Sequence, residues 1–285
     1  MARILVTGAD GGLGRAWTRK LREPGLSLEP AFPGPVELTA LTRAELDVSN
    51  PKATGEIGKV EPDIVLNCAG LTDLDSCEVA PARAFRVNRD GADHIARACS
   101  RRGALAVSFS TDLIFDGGKL QPYLEEDPPN PLNVYGESML AGEVRTASLS
   151  RRHLIIRSGW IYGQPGSHIL KALQGLERFQ AIDTQIGQAT WVRDFLDAAL
   201  FLLRSGKMGR WHVGSPGAVT PFEAARRAKE LLGGAGPPLA GRGTGMLAPL
   251  PGFTVLDIVK LEQAGHRMRG WEAGLEAYIK TIAIR

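Results

Sequence analysis

Over the first 160 residues, short runs of aliphatic and β-branched side chains alternate with longer stretches whose apolar positions recur every three or four residues. Ile4-Leu5-Val6, Val36 to Leu41, Ile64-Val65-Leu66, Leu105 to Ser110 and Leu154 to Arg157 read as short, buried strands. Between them, Leu13 to Leu21, Ala82 to Ala98 and Val134 to Val144 have helical spacing, with Pro81 placed as a first-turn residue. Strands that alternate with amphipathic helices bury both faces of a parallel sheet, so the pattern predicts an α/β, Rossmann-type doubly wound fold. After about residue 160 the rhythm changes. Helical segments near Ile169 to Leu176, Val192 to Leu203, Pro221 to Leu232 and Trp271 to Ile282 stand between long loops, which predicts a smaller C-terminal lobe. The expected division is 1–160 and 161–285, with the chain crossing between the two. Gly233 to Gly252 is dense in glycine and proline and predicts an irregular surface loop, either a linker or a flap over the ligand side.

Composition narrows the class. With 285 residues, 44% hydrophobic and 23% charged, the chain can bury a core large enough to dispense with disulfides or a structural metal. Cys68, Cys77 and Cys99 form no C-x-x-C pair, and five scattered histidines show no metal spacing, so no metal site is predicted. Met1-Ala2-Arg3 leads straight into the first strand and no run of about 18 apolar residues occurs, so a cytoplasmic protein without a membrane span is expected. The net charge of +3 comes from scattered basic residues. That distribution disfavours a nucleic-acid partner and favours a small molecule.

Candidate chemistry begins at the first strand–helix junction, Gly8-Ala9-Asp10-Gly11-Gly12-Leu13-Gly14-Arg15. There Gly8 permits a tight turn, Gly11 lets backbone amides approach a pyrophosphate, and Gly14 lets helix and strand pack closely, while the helix N-terminus favours an anion. A dinucleotide is the expected ligand. The second strand ends Ala40-Leu41-Thr42-Arg43, without the acid that would hold ribose hydroxyls of NAD. Arg43, with Arg15, suits a 2′-phosphate instead, which predicts NADPH. Asp47-Val48 is expected at the adenine, and Asn67-Cys68-Ala69-Gly70 at the end of the fourth strand beside the cofactor.

Further motifs are S-T-D-x-x-F-D-G at Ser110 to Gly117, N-P-x-N-x-Y-G at Asn130 to Gly136, and R-x-x-W-x-Y-G at Arg157, Trp160, Tyr162 and Gly163. With Asp183 to Gly187, Thr190, Trp211-His212-Val213 and Leu256 to Leu261, they resemble the dTDP-4-dehydrorhamnose reductase family over nearly the whole chain. That family belongs to the extended short-chain dehydrogenases/reductases, acting on nucleotide-linked 4-keto sugars. The resemblance implies a Thr-Tyr-Lys catalytic group, with Thr111 and Tyr135 in the first two roles. Met139 stands where the family has lysine, four residues after the tyrosine. Neither Ser138 nor Lys171 can be assumed to replace it.

The same resemblance places Leu113, Met139, Trp160, Gln185 and Trp191 on the substrate side, with a plain core position the equal alternative for Trp191. Leu113 replaces a tyrosine of relatives, and Phe253-Thr254-Val255 departs from the Arg-Pro that precedes the L-D-x-x-K-L segment. These changes make the pocket more apolar and leave a nucleotide-linked sugar and an aromatic or polyketide ketone both open as substrates. Asn88 matches a helix asparagine that supports the active-site backbone, and Glu125-Glu126-Asp127 is expected as a solvated face. Two functional readings stand: an NADPH-dependent ketoreductase, and a regulatory subunit that binds NADP but has lost turnover, for which Met139 is the strongest sign. Family dimers use exposed surfaces, so a homodimer stays open.

Overall fold

The computed structural model describes residues 1–164, 180–233, 239–241 and 246–283. Among these, β1 (Ala2–Thr7), β2 (Val36–Leu41), β3 (Ile64–Asn67), β4 (Leu105–Thr111), β5 (His153–Ser158) and β9 (Gly209–His212) form a parallel sheet in the order β2-β1-β3-β4-β5-β9. Alternate residues of its central strands enter different cores. Ile4, Val6, Ile64, Leu66 and Val107 join a cluster with Trp17 and Leu21, whereas Leu5, Val65 and Ala106 join one with Ile57, Ile95 and Cys99. Side chains of a strand alternate between faces, so two apolar cores make this a doubly wound sheet.

The first face is covered by α1 (Gly12–Leu21), which turns Trp17 and Leu21 inward, and by the helix Val192–Arg204. The opposite face carries α2 (Ala53–Val60) and α5 (Gly91–Arg102), with α6 (Val134–Leu149) packed beside α5. The helix expected over Ala82 to Ala98 is broken into α4 (Pro81–Phe85), a π turn over Arg86–Asp90, and α5. Such turns frequently mark functional positions. Here the π turn offers Asn88 to its neighbours, and α6 approaches so closely that a Cβ on Gly142 would lie 2.5 Å from the Asn88 carbonyl oxygen.

Two sequence expectations need correction. No strand forms between β2 and β3, where α2 takes the crossover, so Asn67 to Gly70 closes the third strand of the chain and not the fourth. The Gly233 to Gly252 run is not wholly irregular: β10 (Leu239–Gly241) pairs in parallel with β7 (Gln180–Ile182). The expected helix Ile169 to Leu176, with Lys171, lies outside the described residues. After the sheet's fifth strand come β6 (Trp160–Tyr162) paired with β8 (Ala189–Trp191), the capped helix Pro221–Leu231 and the helix Trp271–Ala283; their Tyr162, Trp191, Ala224 and Tyr278 share one core cluster with the first face of the sheet. β9 then returns the chain to the sheet as its edge strand, so residues on both sides of 160 build the first unit.

A buried ion pair ties the sheet to α6, and its arginine reaches the segment ahead of that helix. The Arg157 guanidinium donates to both Glu143 carboxylate oxygens, at 2.9 and 2.7 Å, with the two side chains 2% and 1% exposed. It also donates to the Glu125 carbonyl at 3.2 Å. Glu125 is itself buried, its carboxylate accepting the His212 amide at 3.1 Å, so the acidic run is not a uniformly solvated face. Burial raises the Glu125 pKa, and burial lowers that of His212 to about 3, leaving a neutral imidazole inside the fold.

Candidate active site

The strand order reverses between β1 and β3, and their carboxyl ends form the crevice in which such sheets bind ligands. Gly8 turns out of β1 at φ +62°, and a Cβ there would lie 2.8 Å from the Ala69 backbone at the end of β3. Thr7 and Asn67 brace the crevice from below, since Asn67 Oδ1 accepts the Thr7 hydroxyl at 3.0 Å and the Ala69 amide at 3.2 Å. A Cβ on Gly14 would stand 2.1 Å from the Gly8 carbonyl oxygen, which allows α1 to start directly beneath the turn. Gly14→Ala should therefore lower stability by about 1–3 kcal/mol in a urea melt; an unaltered midpoint would mean that the turn can yield.

This arrangement fits a dinucleotide. Gly11 is the extended N-cap of α1, no side chain caps the helix, and Asp10 and Gly11 are exposed, so the first amides remain available to a pyrophosphate. Gln164 lies over the turn from β6, its Oε1 buried without a hydrogen-bond partner and 2.9 Å from where a Gly12 Cβ would be. The sequence carried no signal for that residue. Beyond β2, Arg43 is exposed and held loosely by Asp47 at 3.9 Å. The neighbouring acid Glu45 accepts the Thr42 amide and hydroxyl at 2.9 and 2.8 Å, and these bonds hold its pKa below the usual range. Arg15 lines a surface cleft with Ala9, Arg19 and Arg22. Asp47 is occupied by Ser49, whereas Val48 is 3% exposed and its side chain packs in the second core. Cys68 and Ala69 are half-buried and Gly70 exposed at the crevice, and burial pushes the Cys68 thiol up.

At the adjacent strand end the chain leaves β4 through Thr111. Its Oγ1 accepts the Leu113 amide at 3.1 Å, capping the short 3-10 turn Asp112–Ile114. Asn133 caps α6 by accepting the Gly136 amide at 2.8 Å. A Cβ on Gly136 would lie 2.2 Å from the Leu113 carbonyl oxygen, so the first turn of α6 presses directly on the end of β4. This contact sets Tyr135, the second residue of α6, close to the Thr111 end of β4. Burial, with the nearby Asp112 and Cys77 as further causes, raises the phenol's pKa well above its ordinary value.

The backbone beneath is braced by Asn88, which accepts the Leu71 amide at 2.8 Å and donates to the Ser138 hydroxyl at 2.9 Å. Ser138 donates in turn to the Tyr135 carbonyl at 2.9 Å. Ser138 is thus fully engaged in structure and offers no substitute for an ammonium, while half-buried Met139 follows one turn after the tyrosine.

Over residues 2–284 the sequence matches the family described as RmlD substrate binding domain. The chain belongs to that family. The dTDP-4-dehydrorhamnose reductase of Streptomyces griseus is 34% identical over 290 residues, covering 96% of this chain and 91% of that protein. The spore coat polysaccharide biosynthesis protein SpsK of Bacillus subtilis is 32% identical over 287 residues, 98% of each chain. Among solved structures, the dTDP-4-dehydrorhamnose reductase of Bacillus anthracis in complex with NADP superposes with a TM-score of 0.87 at 28% identity, covering 99% of both chains.

Within this RmlD-type fold two crossing segments after residue 180 reach the β4 end. Ile186 donates to the Gly252 carbonyl at 2.9 Å and accepts from the Thr254 amide at 2.8 Å, which holds buried Gln185 beside that loop. Trp160 is half-buried and lies against Gly187, one of whose Cβ positions would be 3.3 Å from its ring. Leu113 is 8% exposed, beneath the start of α6. Trp191 takes the core alternative left open by the sequence: its ring packs in the main core against Tyr278 and under Arg269. The end of the Gly/Pro run docks near the start of α6, with Leu247 and Ala248 amides on Asp75 and the Pro249 carbonyl accepting from Asn133.

Sequence reasoning quoted Asp112 within a motif without giving it a role. It is 2% exposed, accepts the Thr254 hydroxyl at 2.6 Å and stands 3.2 Å from the Thr111 hydroxyl. Burial raises its pKa to about 6 against the opposing effect of these hydroxyls.

Proposed function

We propose that this protein reduces the 4-keto group of a dTDP-linked 6-deoxy sugar with NADPH, using Thr111 and Tyr135 at the carbonyl oxygen and no lysine. The approach of the Tyr135 turn of α6 to the Thr111 end of β4, on the same sheet edge as the glycine turn after β1, carries this reading. Relatives named for dTDP-4-keto sugars, including a dTDP-4-keto-6-deoxy-D-glucose reductase of Streptomyces niveus, favour the sugar over a polyketide ketone. Bound NADPH supplies the hydride. The α1 amides, Gly8 to Arg15 and the ends of β1 and β3 hold the dinucleotide; Arg43 and Arg15 face its 2′-phosphate, and Asp47 and the Val48 backbone border the adenine. Thr111 and Tyr135 orient the carbonyl and stabilise charge developing on its oxygen. The phenol is protonated at neutral pH, so it can donate without assistance. Leu113, Met139, Trp160 and Gln185 border the sugar.

The direct test is NADPH consumption with a panel of dTDP-4-keto sugars and aromatic ketones. Turnover confined to the sugars supports the proposal, and turnover confined to aromatic ketones overturns its substrate. The second reading, a cofactor-binding subunit, draws on Met139; tight NADPH binding without consumption anywhere in the panel is its signature. The cofactor assignment has its own measure. Arg43→Ala should weaken NADPH by roughly 10–100-fold, the value of a charge-assisted hydrogen bond, and leave NADH nearly unchanged. An equal loss for both cofactors would remove Arg43 from the 2′-phosphate site.

A further inference from the structure

Resting on the reductase reading, we propose that Asp112 is a proton reserve for Tyr135, reached through the Thr111 hydroxyl, and that it takes over part of the work of the missing lysine. Three observations meet here. Asp112 is sealed from solvent, with one carboxyl oxygen 3.2 Å from Thr111 Oγ1 and the other held by Thr254 at 2.6 Å. Thr111 is fixed by the Leu113 amide, and the carbonyl of that same Leu113 meets Gly136, so the turn carrying Tyr135 packs against the Thr111–Leu113 segment. Position 139 carries a thioether, so the phenolate formed by proton donation has no ammonium from that turn of α6.

The balance of the step is simple. As the carbonyl carbon accepts the hydride, the carbonyl oxygen is left with the π electron pair and takes the phenolic hydrogen of Tyr135. The phenolate oxygen then takes the Thr111 hydroxyl hydrogen, and Thr111 takes the Asp112 carboxyl hydrogen. The net change is alcohol formed and Asp112 converted to carboxylate, with tyrosine and threonine restored; once product has left, a proton from solvent entering the emptied site returns to Asp112 through the Tyr135 and Thr111 hydroxyls by the same chain run in reverse. Transfer from a carboxylic acid to a phenolate runs downhill, more so because burial holds the phenol's affinity for its proton high. The groups facing the relay are few: the Tyr135 phenol on α6, the Cys77 thiol on α3 (Leu74–Val79), and the hydroxyls of Thr111 and Thr254. Burial raises Cys77 to about 11, which keeps it neutral where Asp112 titrates.

The reserve is full below the Asp112 pKa and empties as pH rises through about 6. Single-turnover reduction of a dTDP-4-keto sugar should therefore slow by up to about tenfold per pH unit above that limb, until donation by Tyr135 alone sets the floor. Asp112→Asn keeps the shape and hydrogen-bonding capacity of the side chain and should remove the limb, leaving a pH-independent slower rate. Thr254→Val deletes a hydrogen bond to the carboxylate, so the limb should move to higher pH. A limb that stays in place in both folded variants would overturn the relay. Failure of the wild-type protein to turn over any keto sugar is a different result, which overturns the reductase reading itself. Should Asp112→Asn not fold, the Thr254→Val shift and carboxyl NMR titration of the wild-type protein still decide the matter, since an Asp112 that stays ionised below pH 6 excludes the reserve.

Discussion

Replacing Tyr135 by phenylalanine should lower kcat for keto-sugar reduction by roughly 10²–10⁴-fold, the contribution of a positioned general acid. NADPH affinity and the melting transition should stay as in the parent. The substitution deletes one oxygen and keeps the ring on the first turn of α6, where the cap Asn133 and the close contact of Gly136 with Leu113 are unaffected. Thr111 would retain its bonds to the Leu113 amide and Asp112, so no buried polar atom is stranded. The loss must therefore appear in the chemical step, read as NADPH consumption at saturating substrate. Equal rates for the two proteins would remove the phenol from the mechanism and direct attention to another donor.

The glycine turn was legible in the sequence because it depends on local geometry. Only residues without a Cβ allow β1, α1 and the end of β3 to meet as Gly8 and Gly14 do. The pairing of Thr111 with Tyr135 was readable only by resemblance, since its cause is tertiary: the β4 end and the α6 start touch across a gap that no periodicity reveals. Asp112 and Thr254 illustrate what stays hidden. Their bond joins residues far apart in the chain, and burial gives the carboxyl its character. The same holds for Glu125, polar by composition but drawn inward to receive the His212 amide. Trp191 is the case the sequence left open, because an aromatic near a motif looks the same whether it lines a pocket or fills a core; burial in the main cluster favours the second. The π turn at Arg86–Asp90 preserves the helical apolar spacing on either side, so it reads as one helix until Asn88 is seen bridging to Ser138.

Installing lysine by Met139→Lys should act mainly on the reverse reaction. Oxidation of the alcohol requires ionised Tyr135, which burial and the neighbouring Asp112 and Cys77 make rare at neutral pH. An ammonium one turn along α6 would lower the phenol's pKa by about 1–3 units, enriching the ionised form by about 10–10³-fold. Saturated oxidation with NADP should accelerate on that order near neutral pH, and its pH limb should move down by the same number of units. Reduction already starts from the protonated phenol, so its gain is confined to stabilising the phenolate. At any one pH the ratio of kcat/KM values is bound to the reaction's equilibrium constant, which is why kcat at saturation and the position of the limb are the informative quantities. An unmoved limb in a folded variant would mean that position 139 does not address the phenol. The lysine also bears on Asp112: two devices that relieve the same phenolate overlap. Asp112→Asn should then cost less in the Met139→Lys background than in the parent, a non-additivity expected only of residues that act on one group.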